Sequence, residues 1–385
     1  MSRGERGPVA PVAVLVIGGL AVALLLPFSP GCTCEAAPGS TPGPRAVEPR
    51  VTPITSTTAP TGDVHLFKRS RPMMGTIFEI TVAGATDERA APPVQAALAE
   101  IQRLESVLSE WRDDSEVARV NAAAGNGQPV RVGPDTLAVV KAGLEVSRWS
   151  DGAFDLSWAA LRGLYRFRPG EHHAPTDREL REQVRLIGWR DIVLDEAAST
   201  VRLRRAGMAI GTGGIAKGYA LDRAARVLEQ AGLHHYLLSC GNQSQLHGKR
   251  GARAWRAGIQ HPRAQSQVAF LEASDGSIAT SGDFDRFFID ERGRRWHHII
   301  DPRTGRPASH TASVTVVAPS GLYADALATA VFVLGANRGL AMLARLPLHA
   351  EAVIISTDGT MHFSPGTRDR LSWPTELQND RLSMQ

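Results

Sequence analysis

The sequence predicts an α+β fold of packed helices and mixed or antiparallel sheets, and three observations carry that reading. Short runs such as 76–82 (TIFEITV) alternate apolar and polar residues, which is strand periodicity. Longer runs such as 91–110 repeat apolar residues every three or four positions, which is helical periodicity. The two kinds of run follow one another without the strand–helix–strand rhythm of a doubly wound parallel sheet.

The chain has 385 residues, room for one large domain or two. A body of about 300 residues buries roughly three-quarters of its unfolded surface, so its core needs no covalent staple. Hydrophobic residues make up 43% and charged residues 21%, a globular composition. Only three cysteines are present, which excludes a disulfide-dense scaffold. The 43 basic and 39 acidic residues are interleaved, with no basic run and no basic–aromatic platform, so nucleic acid is not an expected partner.

From the N-terminus, Arg3 and Arg6 precede an apolar, charge-free run over 9–26 that reads as an export signal. At about eighteen residues the same run is long enough for an uncleaved anchor. Cys32 follows Gly31 at its end, as in a bacterial lipobox, although Ser29 stands where an apolar residue is expected. Lipidation at Cys32, an uncleaved anchor and ordinary secretion all place the protein outside the cytoplasm, and the first two place it in the cell envelope. Anchorage to the inner membrane on its periplasmic side through Cys32 is the reading that uses all three features. The expected organisation is a signal over 1–31, a Pro/Thr-rich tether over 32–64, a folded body over 65–365 and a polar tail over 366–385.

Within the body, 76–82 reads as a strand. Run 91–110 reads as a helix with Val94, Leu98, Ile101, Leu104 and Leu108 on one face. A second helix is expected over 136–150, strands near 191–194 and 200–204, a helix over 218–231 and a strand over 235–239. Several strands with turn signals fill 252–315, and 323–334 is an apolar helix.

Three segments are candidates for chemistry. Gly211-Thr212-Gly213-Gly214-Ile215-Ala216-Lys217-Gly218 opens a helix and offers backbone N–H groups and Lys217 to an anion. It fails the P-loop template at Ala216 and Gly218, and a plain tight connection is the alternative. His297-His298 precede the Asp301-Pro302-Arg303-Thr304-Gly305 turn, and the histidine doublets at 172–173 and 234–235 show that such a pair also occurs elsewhere in the chain. Asp325 and Thr329 stand four apart on one face of an otherwise apolar helix. They suit a hard cation such as Mg²⁺, or else a helix-start aspartate and a hydroxyl bonded to its own backbone.

Taken in order, seven blocks resemble the ApbE family, the FAD:protein FMN transferases. They are Met73-Met74-Gly75-Thr76; Leu108-Ser109-Glu110-Trp111 with Asp114-Ser115-Glu116 and Asn121; Gly152-Ala153-Phe154-Asp155; Gly213 to Tyr219; Ala279 to Asp283; His298 to Gly305; and Asp325 to Thr329. The resemblance spans about 71–335. It implies a two-lobed body with FAD in a cleft between the lobes and Mg²⁺ on its diphosphate. Met74 and Trp111 would flank the flavin. Ala153, Phe154, Asp155 and Ile299 would line the nucleotide, with Lys217 reaching it from the glycine loop. Asp325, Thr329 and the Gly214 carbonyl would hold the metal, and His298 corresponds to the histidine used in transfer. At three places the chain departs from the family: Gly211 stands where an aspartate precedes Gly213 by two residues, Cys240-Gly241-Asn242 stands for Gly-Gly-Asp or Gly-Gly-Asn, and Leu156-Ser157 stands for Pro-Thr or Ile-Thr.

The activity so implied is Mg²⁺-dependent transfer of FMN from FAD to a threonine hydroxyl of an exported or membrane redox flavoprotein, with AMP leaving. An FAD pyrophosphatase giving FMN and AMP, and a non-catalytic FAD-binding lipoprotein, are the alternatives. Cys240, the lone thiol of the body, reads as a small buried residue.

Overall fold

The structure is a computed structural model that describes residues 64–168 and 170–374. The expected signal, Cys32 and almost all of the tether lie outside the described residues.

A hairpin of β1 (Leu66–Met73) and β2 (Thr76–Ala83) opens the body. Its turn residues Met74 and Gly75 both have positive φ, 48° and 71°, as two-residue hairpins of this hand require. Helix α1 (Asp87–Leu108) starts a turn ahead of the expected 91, with Asp87 and Glu88 at its positive end, and buries the whole expected stripe from Val94 to Leu108. Helix α2 (Glu116–Ala122) is capped by Ser115, whose Oγ accepts from the Ala118 N–H at 2.9 Å. After β3 (Val130–Arg131), helix α3 (Pro134–Trp149) is capped from a distance. The Glu116 carboxylate accepts from the Gly133 N–H at 2.9 Å and the Thr136 hydroxyl at 2.5 Å.

Helix α4 (Asp177–Val184) begins with a capping box between Thr176 and Glu179. Strands β4 (Ile192–Asp195) and β5 (Thr200–Leu203) join β3 in a small sheet of order β3-β5-β4. Then come α5 (Ala216–Gln230), β6 (Tyr236–Cys240), β7 (Gln243–His247), β8 (Trp255–Gln260), β9 (Gln267–Ala273) and β10 (Asp275–Gly282). A short hairpin of β11 (Phe287–Ile289) and β12 (Arg295–His297) follows, then β13 (Thr311–Ala318). Helix α6 (Gly321–Leu343) breaks at Gly335, where φ is 75°, so the expected 323–334 helix ends at a left-handed glycine and a second helical stretch continues. The chain closes with β14 (Glu351–Ser356), β15 (Met361–Phe363) and β16 (Leu371–Ser372). Pairing of β16 with β9 carries the folded body past the expected boundary at 365.

The central sheet has eight strands in the order β1-β2-β6-β7-β10-β13-β14-β15, every neighbouring pair antiparallel. Strand alternation sends successive residues to opposite faces. Leu238, Val316 and Ile354 face the larger core, with α1, α3, α5 and α6 residues. Their neighbours Leu237, Val317, Val353 and Ile355 belong to a second core with Trp255, Ile259 and Leu271, under the β16-β9-β8 sheet. The α+β expectation holds: helices cover one face of an antiparallel sheet and a small sheet covers the other.

Helix α6 is long and apolar enough to cross a bilayer, yet it is the central helix of the larger core, with Leu327, Ala330, Val331 and Phe332 fully buried. Its start is set by α5. The Asp222 carboxylate accepts from the N–H groups of Gly321 (2.7 Å) and Leu322 (2.9 Å) and from the Ser320 hydroxyl (2.7 Å). The two helices approach so closely at Gly218 that a Cβ there would lie 1.9 Å from the Gly321 carbonyl oxygen.

Candidate active site

The glycine loop 211–215 lies between the C-terminal end of α1 and the N-terminus of α5. Thr212 Oγ1 donates to the Leu108 carbonyl at 2.7 Å. Just before the loop, Asn121 pairs with the Ile210 backbone in both directions: its Nδ2 donates to the carbonyl at 3.0 Å and its Oδ1 accepts from the N–H at 2.7 Å. A loop pinned on both sides presents its backbone in one arrangement without an ordering cost on binding.

From that loop, α5 and α6 bring four of the expected residues together. Lys217 Nζ donates to the Gly213 carbonyl at 2.8 Å and stands 3.8 Å from Asp325 Oδ2. Asp325 is buried, and its Oδ2 accepts from the Gly218 N–H at 3.2 Å. Burial pushes its carboxyl above the usual range, against the opposing pull of Lys217, the Gly218 N–H and the Gln243 side chain. One turn on, Thr329 Oγ1 lies 3.4 Å from Ser281 Oγ of β10 and 3.5 Å from the Asp325 carbonyl. A Cβ placed on Gly214 would lie 3.6 Å from Thr329 Oγ1 and 3.3 Å from the Phe154 ring, so the loop backbone, Thr329 and Phe154 converge there.

Ala153, Phe154 and Asp155 follow α3 and are all buried. The Asp155 carboxylate accepts from the Ser157 N–H (2.8 Å), the Ser157 hydroxyl (2.7 Å) and the Trp189 N–H (2.8 Å). Its side chain thus braces this segment, with both carboxylate oxygens occupied by protein donors. Met74, half-buried in the β1–β2 turn, is held by its N–H donating to Glu105 at 2.6 Å. Trp111 is 73% exposed, with the Arg162 guanidinium 5.0 Å from its ring centroid.

His298 and Ile299 stand just past β12. Ile299 is buried, and its N–H donates to His297 Nδ1 at 3.3 Å. His298 is half-buried; its N–H donates to the Arg286 carbonyl at 3.1 Å, and its Nδ1 is 3.4 Å from the same oxygen. A proton on Nδ1 is the one that carbonyl accepts, which leaves Nε2 with a free lone pair. Burial first, then the nearby Arg286, His297 and Lys217 charges, push the His298 imidazole down to about 3. His297, bonded through Nε2 to the Ala308 carbonyl at 2.8 Å and packed edge-on against Phe332, is structural.

Three groups that the sequence reading left without a role border this site. Asn242 Nδ2 donates to Asp285 Oδ2 at 2.7 Å, and Asp285 adjoins Arg286, whose carbonyl holds His298. Glu110, quoted only as part of a block, is buried against the glycine loop: a Cβ on Gly211 would lie 2.4 Å from its Oε2. The signal for it was the missing side chain at 211, whose space another residue had to fill. Cys240 is fully buried and burial raises its thiol, as expected for a small core residue.

The ApbE family profile matches residues 74–354. The chain is 36% identical over 330 residues to a protein of Treponema pallidum named FAD:protein FMN transferase, covering 80% of this chain and 89% of that one. A Klebsiella pneumoniae protein of the same name is 32% identical over 275 residues, covering 69% and 85%. Among solved structures, the ApbE protein of Thermotoga maritima matches with a TM-score of 0.73 at 28% identity, over 80% of this chain and 99% of that one. The flavin transferase ApbE of Vibrio cholerae matches with a TM-score of 0.69, also at 28% identity and over the same shares. The motifs quoted from the sequence and the fold assembled around them lead to the same place: this chain belongs to the ApbE family.

Proposed function

We propose that this chain is a flavin transferase that moves the FMN half of FAD onto a threonine hydroxyl of an acceptor flavoprotein, releasing AMP. The observation that carries this reading is the convergence of a pinned glycine loop, Lys217, Asp325, Thr329 and Phe154 at one place, close enough to His298 for Lys217 to act on its charge. The acceptor oxygen forms a new bond to the FMN phosphorus while the bond from that phosphorus to the AMP phosphate oxygen breaks. The electron pair of the broken bond leaves with AMP. The proton of the threonine hydroxyl goes to Nε2 of His298.

The lowered basicity of His298 keeps its imidazole unprotonated throughout the neutral range. Negative charge from a diphosphate opposes the Arg286 and Lys217 charges that lower it, so the base strengthens where the substrate binds. Lys217 places a cation beside the loop, and the loop holds its backbone ready without rearrangement.

Asp325, Thr329 and the Gly214 carbonyl would offer an oxygen-only set with one carboxylate. That set suits Mg²⁺, which takes few protein ligands and completes its shell with water and phosphate. Among the described residues no group of three or more His, Cys, Asp or Glu side chains is placed to hold a metal ion, so the proposed set draws on a hydroxyl and a backbone carbonyl beside its one carboxylate. Bound there, Mg²⁺ supplies charge neutralisation on the diphosphate. We place the enzyme at the cell envelope, facing the periplasm and held to the inner membrane through Cys32. This rests on Arg3, Arg6 and the apolar run before Cys32.

The test is intact mass spectrometry of an acceptor flavoprotein domain incubated with the purified protein, FAD and Mg²⁺. An added FMN that disappears when the acceptor threonine is changed to valine supports the transferase. FMN and AMP released without any acceptor would make the protein a pyrophosphatase, and intact bound FAD in every condition would make it a carrier.

A further inference from the structure

Glu110 is 8% exposed, and its Oε2 has no hydrogen-bond partner. The N–H groups of Thr212 and Gly213 pull its carboxyl down, so the loop engages part of the carboxylate's capacity. Burial raises its carboxyl, and the nearest opposing charges are Arg162 and Lys217. Arg162 mirrors the situation. One of its nitrogens donates to the Glu110 carbonyl at 2.6 Å, while its buried Nε and Nη2 have no partner. The orphaned acceptor and the two orphaned donors belong to side chains joined by that bond and acting on each other's charge, which marks one small region. It is bordered by the glycine loop on one side and by the exposed ring of Trp111 on the other.

Buried polar groups in folded proteins are almost all paired, and those left over mark places where something else binds. The group that satisfies this constellation offers a donor to the carboxylate, offers an acceptor to the guanidinium and carries a planar ring or sugar beside Trp111. That is the description of a nucleotide edge. Gly211 completes the argument. The Oε2 position lies 2.4 Å from where a Cβ at 211 would sit, so in this chain the loop has no side chain of its own there and Glu110 occupies the space.

We propose that Glu110, oriented by Arg162, is a substrate-binding residue of this enzyme that accepts a hydrogen bond from an N–H or O–H of the nucleotide. The proposal rests on the FAD-binding reading above. The same donor chemistry occurs in the flavin half and in the adenosine half, and the experiment separates them.

The experiment measures dissociation constants of FAD, FMN and ADP for the purified full chain and for Glu110→Gln, together with the unfolding temperature of each without ligand. The amide keeps an acceptor for the loop N–H groups while removing the charge. The expected result is FAD binding weakened about tenfold to a hundredfold, the loss of a hydrogen bond to a charged group. The same loss appears with one half-ligand and not with the other, at a nearly unchanged unfolding temperature. Glu110→Asp, which keeps the charge but withdraws it by one methylene, is expected to weaken the same half-ligand. It serves as the reporter if the amide does not fold. FAD bound as tightly by Glu110→Gln as by the unaltered protein would overturn the proposal. So would a loss spread equally over both half-ligands with a fall in unfolding temperature, because that marks loop support alone. Failure of the unaltered chain to bind FAD would remove the FAD reading itself, and this proposal with it.

Discussion

The backbone N–H of Gly218, in the first turn of α5, donates to the carboxylate of Asp325, in the second turn of α6, at 3.2 Å. That bond is possible because α5 and α6 touch backbone to backbone where Gly218 meets Gly321, and because Asp222 holds the start of α6 in place. The depth of Asp325 in the site is thus a consequence of one helix crossing, and several outcomes follow from it.

Gly218→Ala puts a methyl group 1.9 Å from the Gly321 carbonyl oxygen, which neither helix can yield without moving. Overpacking against side chains typically costs about 1–3 kcal/mol, and a backbone clash falls at or beyond the top of that range. Chemical denaturation of the variant should show a loss of about 3 kcal/mol or more. An unchanged midpoint would mean that the helices do not cross this closely.

Asp222→Ala removes three hydrogen bonds at the start of α6 and leaves two N–H groups there without partners. Loss of an N-terminal cap costs about 0.5–2 kcal/mol, and this half-buried one, with three hydrogen bonds, belongs at the upper end. Because α6 carries Asp325 and Thr329, the metal concentration needed for half-maximal transfer should rise in the same variant. Stability and metal response should move together, and a change in neither would show that α6 is fixed by its packing alone.

His298→Asn should retain the fold and bind FAD within a few-fold of the unaltered protein, while FMN transfer falls by about 10²–10⁴. The readouts are flavin fluorescence for binding and adduct mass for transfer. A transfer rate within tenfold of normal would remove His298 from the proton path.

The same histidine makes a pH prediction. Its folded value, about 3, lies below the ordinary value of 6.5. Between the two, the unfolded chain binds a proton that the folded one does not. Acid therefore favours unfolding, with stability full above about pH 6.5 and lost as pH falls toward 3. His297 is shifted in the same direction by burial and adds to the effect. Denaturation midpoints between pH 7 and pH 4 should fall less steeply in His298→Asn than in the unaltered protein, and parallel slopes would contradict the shift.

Chelation should abolish FMN transfer, and added Mg²⁺ should restore it. Asp325→Asn should demand far more Mg²⁺ for the same rate, because it takes away the only carboxylate of the proposed oxygen set. Full activity in the presence of excess chelator would remove the metal from the reaction.

The elements that the sequence made legible are those whose signal is local. The stripe from Val94 to Leu108 identified α1 because helical spacing alone decides which residues share a face. The alternation in 76–82 identified β2 for the same kind of reason, with a period of two. Gly335 ended the apolar run where the backbone needs a positive φ. By contrast, β1 was missed, since Lys68, Arg69 and Arg71 at the edge of a sheet hide the alternation that its pairing with β2 completes. Strand β16, two residues long, has no signal except its partner β9.

The site divides in the same way. Motif order alone was enough to bring Gly214, Lys217, His298, Asp325 and Thr329 forward as candidates, because each sits in a short block whose residue types are tied to one chemistry. Only the tertiary structure decided that Lys217 reaches Asp325, that the Asp155 carboxylate is occupied by protein donors and that Glu110 fills the space at Gly211. Apart from the local bonds from Ser157 to Asp155, those relationships join residues 34 to more than 100 positions apart. No local periodicity encodes them. They follow from which helices cross and how closely, and that is set by packing over the whole core.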